Sequence, residues 1–366
     1  MRIAFFGSSL LSSYWNGAAT YYRGILKALA ARGHKVVFLE PDAFDRQRHR
    51  DIEPPGWAQV GVFESDAEGL RAALVYAENA DLVVKASGVG VLDAELEAGV
   101  LEAAPSDALV AFWDVDAPAT LARLEADAGD SLRALLPDFD LVLTYGGGAP
   151  VCDAYGRLGA RLCAPIYNAL DPEDHHPVWP ESRFACDLAF LGNRLPDREA
   201  RVEAFFLAAA AQAPEQHFLL GGNGWEDKPL PQNVRWLGHV STRDHNALNS
   251  TAKCVLNISR DSMARNGWSP ATRVFEAAGA GACLITDRWQ GIEMFLEPGE
   301  EVLVAEDGAA VVEIVRGMDP NEARRIGAAA RRRLLAEHTY AQRALDVEAA
   351  LACATAGRRS PQGMVA

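Results

Sequence analysis

The stretch richest in groups that could do chemistry runs from Ser269 to Gly299, SPATRVFEAAGAGACLITDRWQGIEMFLEPG. Ser269 followed by Pro270 reads as a helix N-cap and first helical residue. The helix that starts there presents unpaired N–H groups and a positive dipole end, which suits a phosphate. Arg273 lies in the first turn or so and adds a fork of donors. Glu276, one turn on, is a carboxylate able to take both hydroxyls of a ribose. Gly279 and Gly281 let the chain turn tightly into the next strand. Arg194 and Arg260 also follow strand-like runs, so an acidic protein places three arginines where a diphosphate would be held. The alternative for each arginine is a surface pair with a carboxylate, and for Glu276 a helix salt bridge.

In the amino-terminal half, Phe112-Trp113-Asp114-Val115-Asp116-Ala117-Pro118 follows a strand. Asp114 and Asp116 are its candidates for a general base. The plainer roles are a structural Asp114 and an Asp116 that caps the helix beginning near Pro118. Tyr145-Gly146-Gly147-Gly148 is a flexible loop after another strand, and Gly7 with Tyr14, Trp15, Asn16 and Gly17 forms a polar, aromatic one. His175-His176, with Asp171 and Asp174, suggests a metal only superficially. Adjacent histidines point in different directions and no partner cluster is visible, so a polar linker is the reading and no metal ligands are assigned.

These residues need a scaffold, and the chain repeats one. Ile3-Ala4-Phe5-Phe6 ends at Gly7, helical spacing follows through Tyr22, Ile25, Leu26 and Leu29, and Val36–Leu39 is the next strand. That is a βαβ start. Apolar runs at 82–84, 109–112 and 141–143 continue the alternation, as buried parallel strands do. Near residue 165 prolines and turn formers mark a connector. Leu188-Ala189-Phe190-Leu191-Gly192 then echoes the first strand, and runs at 217–220, 234–237, 254–258 and 282–286 follow. The expected division is an amino-terminal Rossmann-like domain over 1–165, a connector over 166–185, and a carboxyl-terminal Rossmann-like domain over 186–338. A last helix over 339–356 and a disordered tail over 357–366 complete it. In such sheets ligands sit at the carboxyl ends of the strands.

The segments R-V-F-E-A-A-G-A-G (273–281), L-I-T-D (284–287), W-Q-G-I-E-M-F-L-E-P-G (289–299), F-L-G-N-R-L-P-D-R (190–198) and V-R-W-L-G-H-V (234–240) resemble the carboxyl-terminal signature of GT-B glycosyltransferases. The group they are most similar to is the spore-maturation CgeB-like one, within glycosyl transferases group 1. The resemblance is strong over about 186–305 and loose over the first 165 residues. It implies an α/β fold of two facing, doubly wound Rossmann-like domains, a cleft between them, and a terminal helix that crosses back to the first domain. It further implies a nucleotide-sugar donor, a carbohydrate or other hydroxyl acceptor, and no required cofactor. Glu276 would bind the nucleotide ribose, and Gly192, Asn193 and Arg194 would approach the diphosphate. His239 and Val240 would flank the base, and Gly291 with its neighbours would give amides to phosphate or sugar. Asp114 or Asp116 would serve as base, with Trp15, Asn16, Gly17, Tyr145 and Gly146 on the acceptor side. Many retaining members carry a second glutamate eight positions before the ribose glutamate; here that position is Trp268, so donor-sugar contacts must differ. Asp-x-Asp at 114–116 also matches a metal motif of a different glycosyltransferase architecture. It is discounted, since this one uses arginines, amides and a helix dipole. Two rivals stand beside transfer: a nucleotide-sugar epimerase of the same fold, and a non-catalytic nucleotide- or carbohydrate-binding module. A nicotinamide dehydrogenase is disfavoured because Gly7–Gly17 lacks G-x-G-x-x-G.

Composition narrows the partners. A net charge of −15 repels phosphate polymers, so nucleic acid is not an expected partner. The basic run Arg324, Arg325, Arg331, Arg332 and Arg333 reads as a solvated helix face, with weak peripheral membrane contact as the alternative. The cysteines are unpaired in sequence and read as small core residues in a reducing compartment. No stretch approaches the roughly 18 apolar residues of a membrane span, and a cytoplasmic location is expected.

Overall fold

Short apolar runs alternate with helices along the chain and assemble into two all-parallel sheets. The structure, a computed structural model, describes residues 1–14 and 16–359; Trp15 and residues 360–366 lie outside it. Internal contacts divide the chain into two units, one of Met1–Tyr167 with the segment from Tyr340 onward, the other of Asn168–Thr339. The segment read as a connector over 166–185 therefore belongs almost entirely to the second unit. The last helix, Tyr340–Arg359, belongs to the first and includes residues expected in the tail.

The first unit contains β1 (Arg2–Phe6), β2 (Lys35–Asp42), β3 (Ala58–Glu64), β4 (Leu82–Ala86), β5 (Leu109–Asp114), β6 (Leu141–Thr144) and β7 (Cys163–Pro165). They lie in the order β3-β2-β1-β4-β5-β6-β7. Helices cover both faces, so β4, β5 and β6 are buried at every position, which is why they read as continuous apolar runs. The edge strand β3 escapes that reading because it is half exposed. The terminal helix packs on the helix Ala19–Ala31. Their approach requires Gly24, where an added Cβ would stand 2.1 Å from the Tyr340 ring.

The second unit contains β8 (Leu188–Leu191), β9 (Phe218–Gly221), β10 (Val234–Trp236), β11 (Cys254–Asn257), β12 (Cys283–Asp287) and β13 (Leu303–Ala305), in the order β10-β9-β8-β11-β12-β13. Its core gathers Phe190, Phe206, Phe218, Leu256, Ile285 and Val311. Cys254 and Cys283 pair in register inside it, whereas Cys353 is exposed, unlike the core role expected of it. The helical stretch after β8, 199–212, contains a π-helical turn at Glu203–Leu207 that buries Phe205 and Phe206.

Candidate functional site

Connection direction reverses between β8 and β11, and loops leaving such neighbours diverge into a crevice at the carboxyl ends of the strands. Glycines set the floor of this rim. The Gly192 N–H donates to the Gly221 carbonyl at 2.9 Å, and the Gly222 N–H to the Gly238 carbonyl at 2.8 Å. Gly222 has φ +124°, and an added Cβ would stand 2.2 Å from the Gly192 carbonyl oxygen, so no side chain fits there. The Trp225 and Trp236 indoles donate to the Gly192 and Gly222 carbonyls at 2.9 and 3.0 Å. Gly192 and Asn193 are thereby locked into one layer with the turn that carries the exposed His239 and the buried Val240.

The arginines differ from the expectation. Arg194, predicted to approach a diphosphate, pairs instead with Asp227 and Glu199, each at 2.7 Å. Arg194, then Lys228, holds the Glu199 carboxyl down to about 2. The guanidinium that lies under Gly192 is that of Arg198, a residue not singled out from the sequence. An added Cβ on Gly192 would stand 2.7 Å from Arg198 Nη2. Arg198 donates to the Asn193 carbonyl at 2.6 Å and packs 5.6 Å from the Phe190 ring centroid. Burial first, and then repulsion from Arg273 and Arg260 against the pull of Asp197, push its pKa down to about 10. Arg260 shares that counterion, donating to Asp197 at 2.6 Å. Arg260 and Arg273 are thus each close enough to Arg198 to repel it, and a bound anion would relieve that repulsion.

The helix after β11 that faces this cluster is Thr272–Gly279, starting later than Ser269 and Pro270 predicted. Its N-cap is Ala271 and no side chain caps it; Ser269 Oγ donates to the Gly267 carbonyl instead, at 2.9 Å. The first-turn amides are left without a side-chain acceptor. Just before them Trp268 adopts φ +43°, a left-handed conformation that costs a bulky residue about 1–3 kcal/mol. Its N–H donates to the Gln290 carbonyl at 2.6 Å. Its indole lies against Gly291, where an added Cβ would stand 2.2 Å from Trp268 Cδ1. Gly291 itself has φ +95°. The Gly291 turn is therefore fixed by Trp268.

Glu276 is 8% exposed. It pairs with Arg273 at 3.0 Å and has His175 Nε2 at 4.0 Å. Burial works to raise its pKa; Arg273, then His175 and His245, outweigh it and hold the carboxyl below its ordinary value. His245 is pushed down to about 4, mainly by burial and by Arg273, and is neutral at pH 7. His175, read from sequence as part of a polar linker, is in fact packed at the site. An added Cβ on Gly279 would stand 2.3 Å from Leu170 and 3.2 Å from the His175 carbonyl, which shows how closely this segment lies on the helix. The turn-rich sequence around His175 gave no sign of it.

In the first unit the expected residues prove largely structural. Asp114 is fully buried. Its carboxylate accepts from Ser87 Oγ at 2.7 Å, Thr120 Oγ1 at 3.0 Å, the Asp116 N–H at 3.0 Å and the Tyr155 hydroxyl. Burial raises its pKa despite these donors. A carboxylate so enclosed ties the ends of β4 and β5 to the helix Gly148–Arg157; it lacks the access a base needs, which corrects the reading of Asp114. Asp116 is half-buried and begins the helix Ala117–Ala126 through its backbone carbonyl; its side chain makes no capping bond. Asn16 is consumed by its own loop, accepting from Ser8 Oγ and donating to the Ser9 and Ser12 carbonyls. Buried Glu40, near the end of β2, accepts from Ser9 Oγ, the Leu10 N–H and Gln47, so its carboxylate is taken up by the protein itself. Gly17 is exposed; Tyr145 is half-buried, its ring edge-on to Tyr21 at 5.1 Å, and Gly146 is buried.

Two arginines of the basic run are paired with carboxylates on the same surface. Arg325 pairs with Glu322 and Glu300, Arg333 with Glu337, and Arg331 donates to the Gly279 carbonyl. This favours the solvated-face reading. Among the described residues no helix is long and apolar enough to cross a membrane.

A family model described as glycosyl transferase-like matches residues 198–349. Curated protein sequences return no match. Solved structures align over nearly the whole chain. The chain is similar to sucrose-phosphate synthase from Thermosynechococcus elongatus, with a TM-score of 0.68 and 17% identity over 98% of this chain and 100% of that one. It is similar to HepE of Anabaena in complex with UDP-glucose, with a TM-score of 0.66 and 14% identity over 96% and 100%. It is also similar to AviGT4, a glycosyltransferase involved in avilamycin A biosynthesis, with a TM-score of 0.62 and 17% identity over 98% of each chain. These likenesses show the fold, which is that of the GT-B glycosyltransferases: parallel α/β sheets with helices on their faces.

Proposed function

We propose that this protein is a glycosyltransferase of the hexosyltransferase class, EC 2.4, that takes its sugar from a nucleotide-diphosphate donor. The observation that carries the reading is the convergence of Arg198, Arg260 and Arg273 beside a helix start with no side-chain cap. When the bond between the anomeric carbon and the diphosphate oxygen breaks, negative charge builds on the leaving group. Preorganised guanidinium and amide donors stabilise that charge without reorganising. These arginines supply positive charge from the protein itself, and on that ground we read the transfer as metal-independent. Glu276, kept ionised by Arg273, accepts the ribose hydroxyls. The His239–Val240 turn lies along the base. The binding of UDP-glucose by HepE, which shares the fold, supports a uridine nucleotide. The motif over 273–281 supports a CgeB-like member, and a cytoplasmic location goes with that reading. The acceptor is a carbohydrate or another hydroxyl compound, with Asp116 the remaining candidate for its base.

The test is an incubation of the protein with UDP-sugars and an acceptor extract, with EDTA present. Acceptor-dependent release of UDP together with a glycosylated product is expected. A changed sugar on an intact nucleotide would mean an epimerase, and saturable binding without turnover a binding module; either result overturns the proposal.

A further inference from the structure

The first unit holds a second pocket of which the nucleotide-sugar reading uses only Asp116. It lies at the carboxyl ends of β4 and β5, between the helices Asp93–Ala103 and Ala117–Ala126. Its volume is about 330 Å³, and its walls include Ser87, Asp93, Glu97, Asp116, Thr120 and Arg123. Glu97 is 2% exposed, yet its Oε2 makes no hydrogen bond. A buried carboxylate oxygen without a donor is costly, and native proteins rarely leave one so. Its other oxygen sits 3.6 Å from Lys85 and 3.9 Å from Arg123. Those cations do not balance the site. Lys85, itself fully buried, also bonds Asp93, and Arg123 is drawn to Asp130 at 2.7 Å. With Lys85 held by Asp93 and Arg123 by Asp130, Glu97 lines this concavity without a counterion of its own. Burial raises the Glu97 pKa against the pull of Lys85 and Arg123.

We infer that this pocket binds the protonated amine of a small, hydroxyl-bearing molecule. An ammonium group brings donors and a positive charge to Glu97 Oε2, supplying the counterion that Lys85 and Arg123 share with Asp93 and Asp130. A neutral sugar would bring donors only. The side chains do not converge as a metal site: among the described residues no three of His, Cys, Asp or Glu do so. The pocket's size suits one six-membered ring. Combined with the transferase reading, on which this last step alone rests, the bound molecule is the acceptor and its class is an amine-bearing polyol.

The experiment is calorimetric titration of the full chain at pH 7, without any nucleotide, using D-glucosamine, methylammonium, D-glucose and magnesium chloride. Saturable binding of D-glucosamine is expected, with methylammonium weaker and glucose and magnesium absent. Glu97→Gln, which keeps the shape and removes the charge, should weaken D-glucosamine about tenfold or more. Ala119→Phe, an exposed position on the pocket wall, should block binding without touching the buried network, so the proposal survives a failure of Glu97→Gln to fold. Equal affinity for glucose, binding of magnesium, no binding of either amine, or unchanged affinity in both variants overturns it. Because no nucleotide-sugar is present, these outcomes are independent of whether the protein transfers sugars.

Discussion

Replacing Arg198 by Met separates an anion-binding arginine from a structural one. Burial, then Arg273 and Arg260, hold the side chain's pKa well below its ordinary value, at about 10. At about 1.4 kcal/mol per pH unit, the charge is disfavoured in the folded state by about 3 kcal/mol. The sign follows from a cation with a depressed pKa: at any pH below about 10 the charge opposes folding, and its removal relieves that cost. Met keeps much of the packing against Phe190 but loses the charge-assisted bond to the Asn193 carbonyl, which is worth roughly 1.5–3 kcal/mol and at most offsets the relieved cost. The free variant should therefore be as stable as the parent or more so. Its affinity for UDP should fall, because a charge-assisted hydrogen bond contributes roughly 1.5–3 kcal/mol, or about 10- to 150-fold in Kd. Pyrophosphate should lose affinity by a similar factor. Calorimetric titration with both ligands and a thermal melt without ligand measure the two effects. A large drop in Tm with unchanged UDP affinity would refute the reasoning and leave Arg198 a packing residue.

Other substitutions probe the neighbouring groups. Glu276→Gln should weaken UDP about tenfold or more while leaving pyrophosphate nearly unaffected; equal losses would remove the ribose role. Arg273 and the two histidines hold the Glu276 carboxyl below its ordinary 4.5, so its contribution to UDP binding should be complete above about pH 4.5 and vanish only as the pH falls through the lowered value. A loss setting in already at pH 6 in a binding titration would contradict this. Asp114→Asn should lower Tm by several degrees, since about 1–3 kcal/mol is lost with its buried bonds and each kcal/mol is worth about 2–4 °C at this size; abolished turnover with an unchanged melt would restore Asp114 as the base. Gly291→Ala should destabilise by about 1–3 kcal/mol in urea titration, from its positive φ and the Trp268 ring; an unchanged midpoint would mean that the indole is not seated there.

The two sheets were legible in the sequence because β1, β4, β5, β6 and β8 are buried on both faces and end at turns, so their apolar runs stand out. β3, β7 and β13 were missed: the first alternates at an exposed edge, and the others are three residues long. The helix that carries Arg273 and Glu276 was legible because its spacing is a local signal, although it begins at Thr272 and not at Ser269. The choice between Arg194 and Arg198 was not. What neutralises Arg194 includes Asp227, 33 residues away. Asp114 was misread for the same reason, since Ser87 and Tyr155 lie 27 and 41 residues from it. Side chains that follow a strand all look available in sequence, and only long-range packing decides which are already occupied. His175 shows the converse: a turn-rich segment hid a residue that docks onto Glu276.

A crystal structure of the protein with UDP bound tests the central claim most directly. The account predicts the diphosphate within hydrogen-bonding distance of Arg198, of Arg260 or Arg273, and of the first amides of the helix Thr272–Gly279, with the ribose hydroxyls on Glu276. UDP bound elsewhere on the second unit, with those arginines untouched, would contradict it.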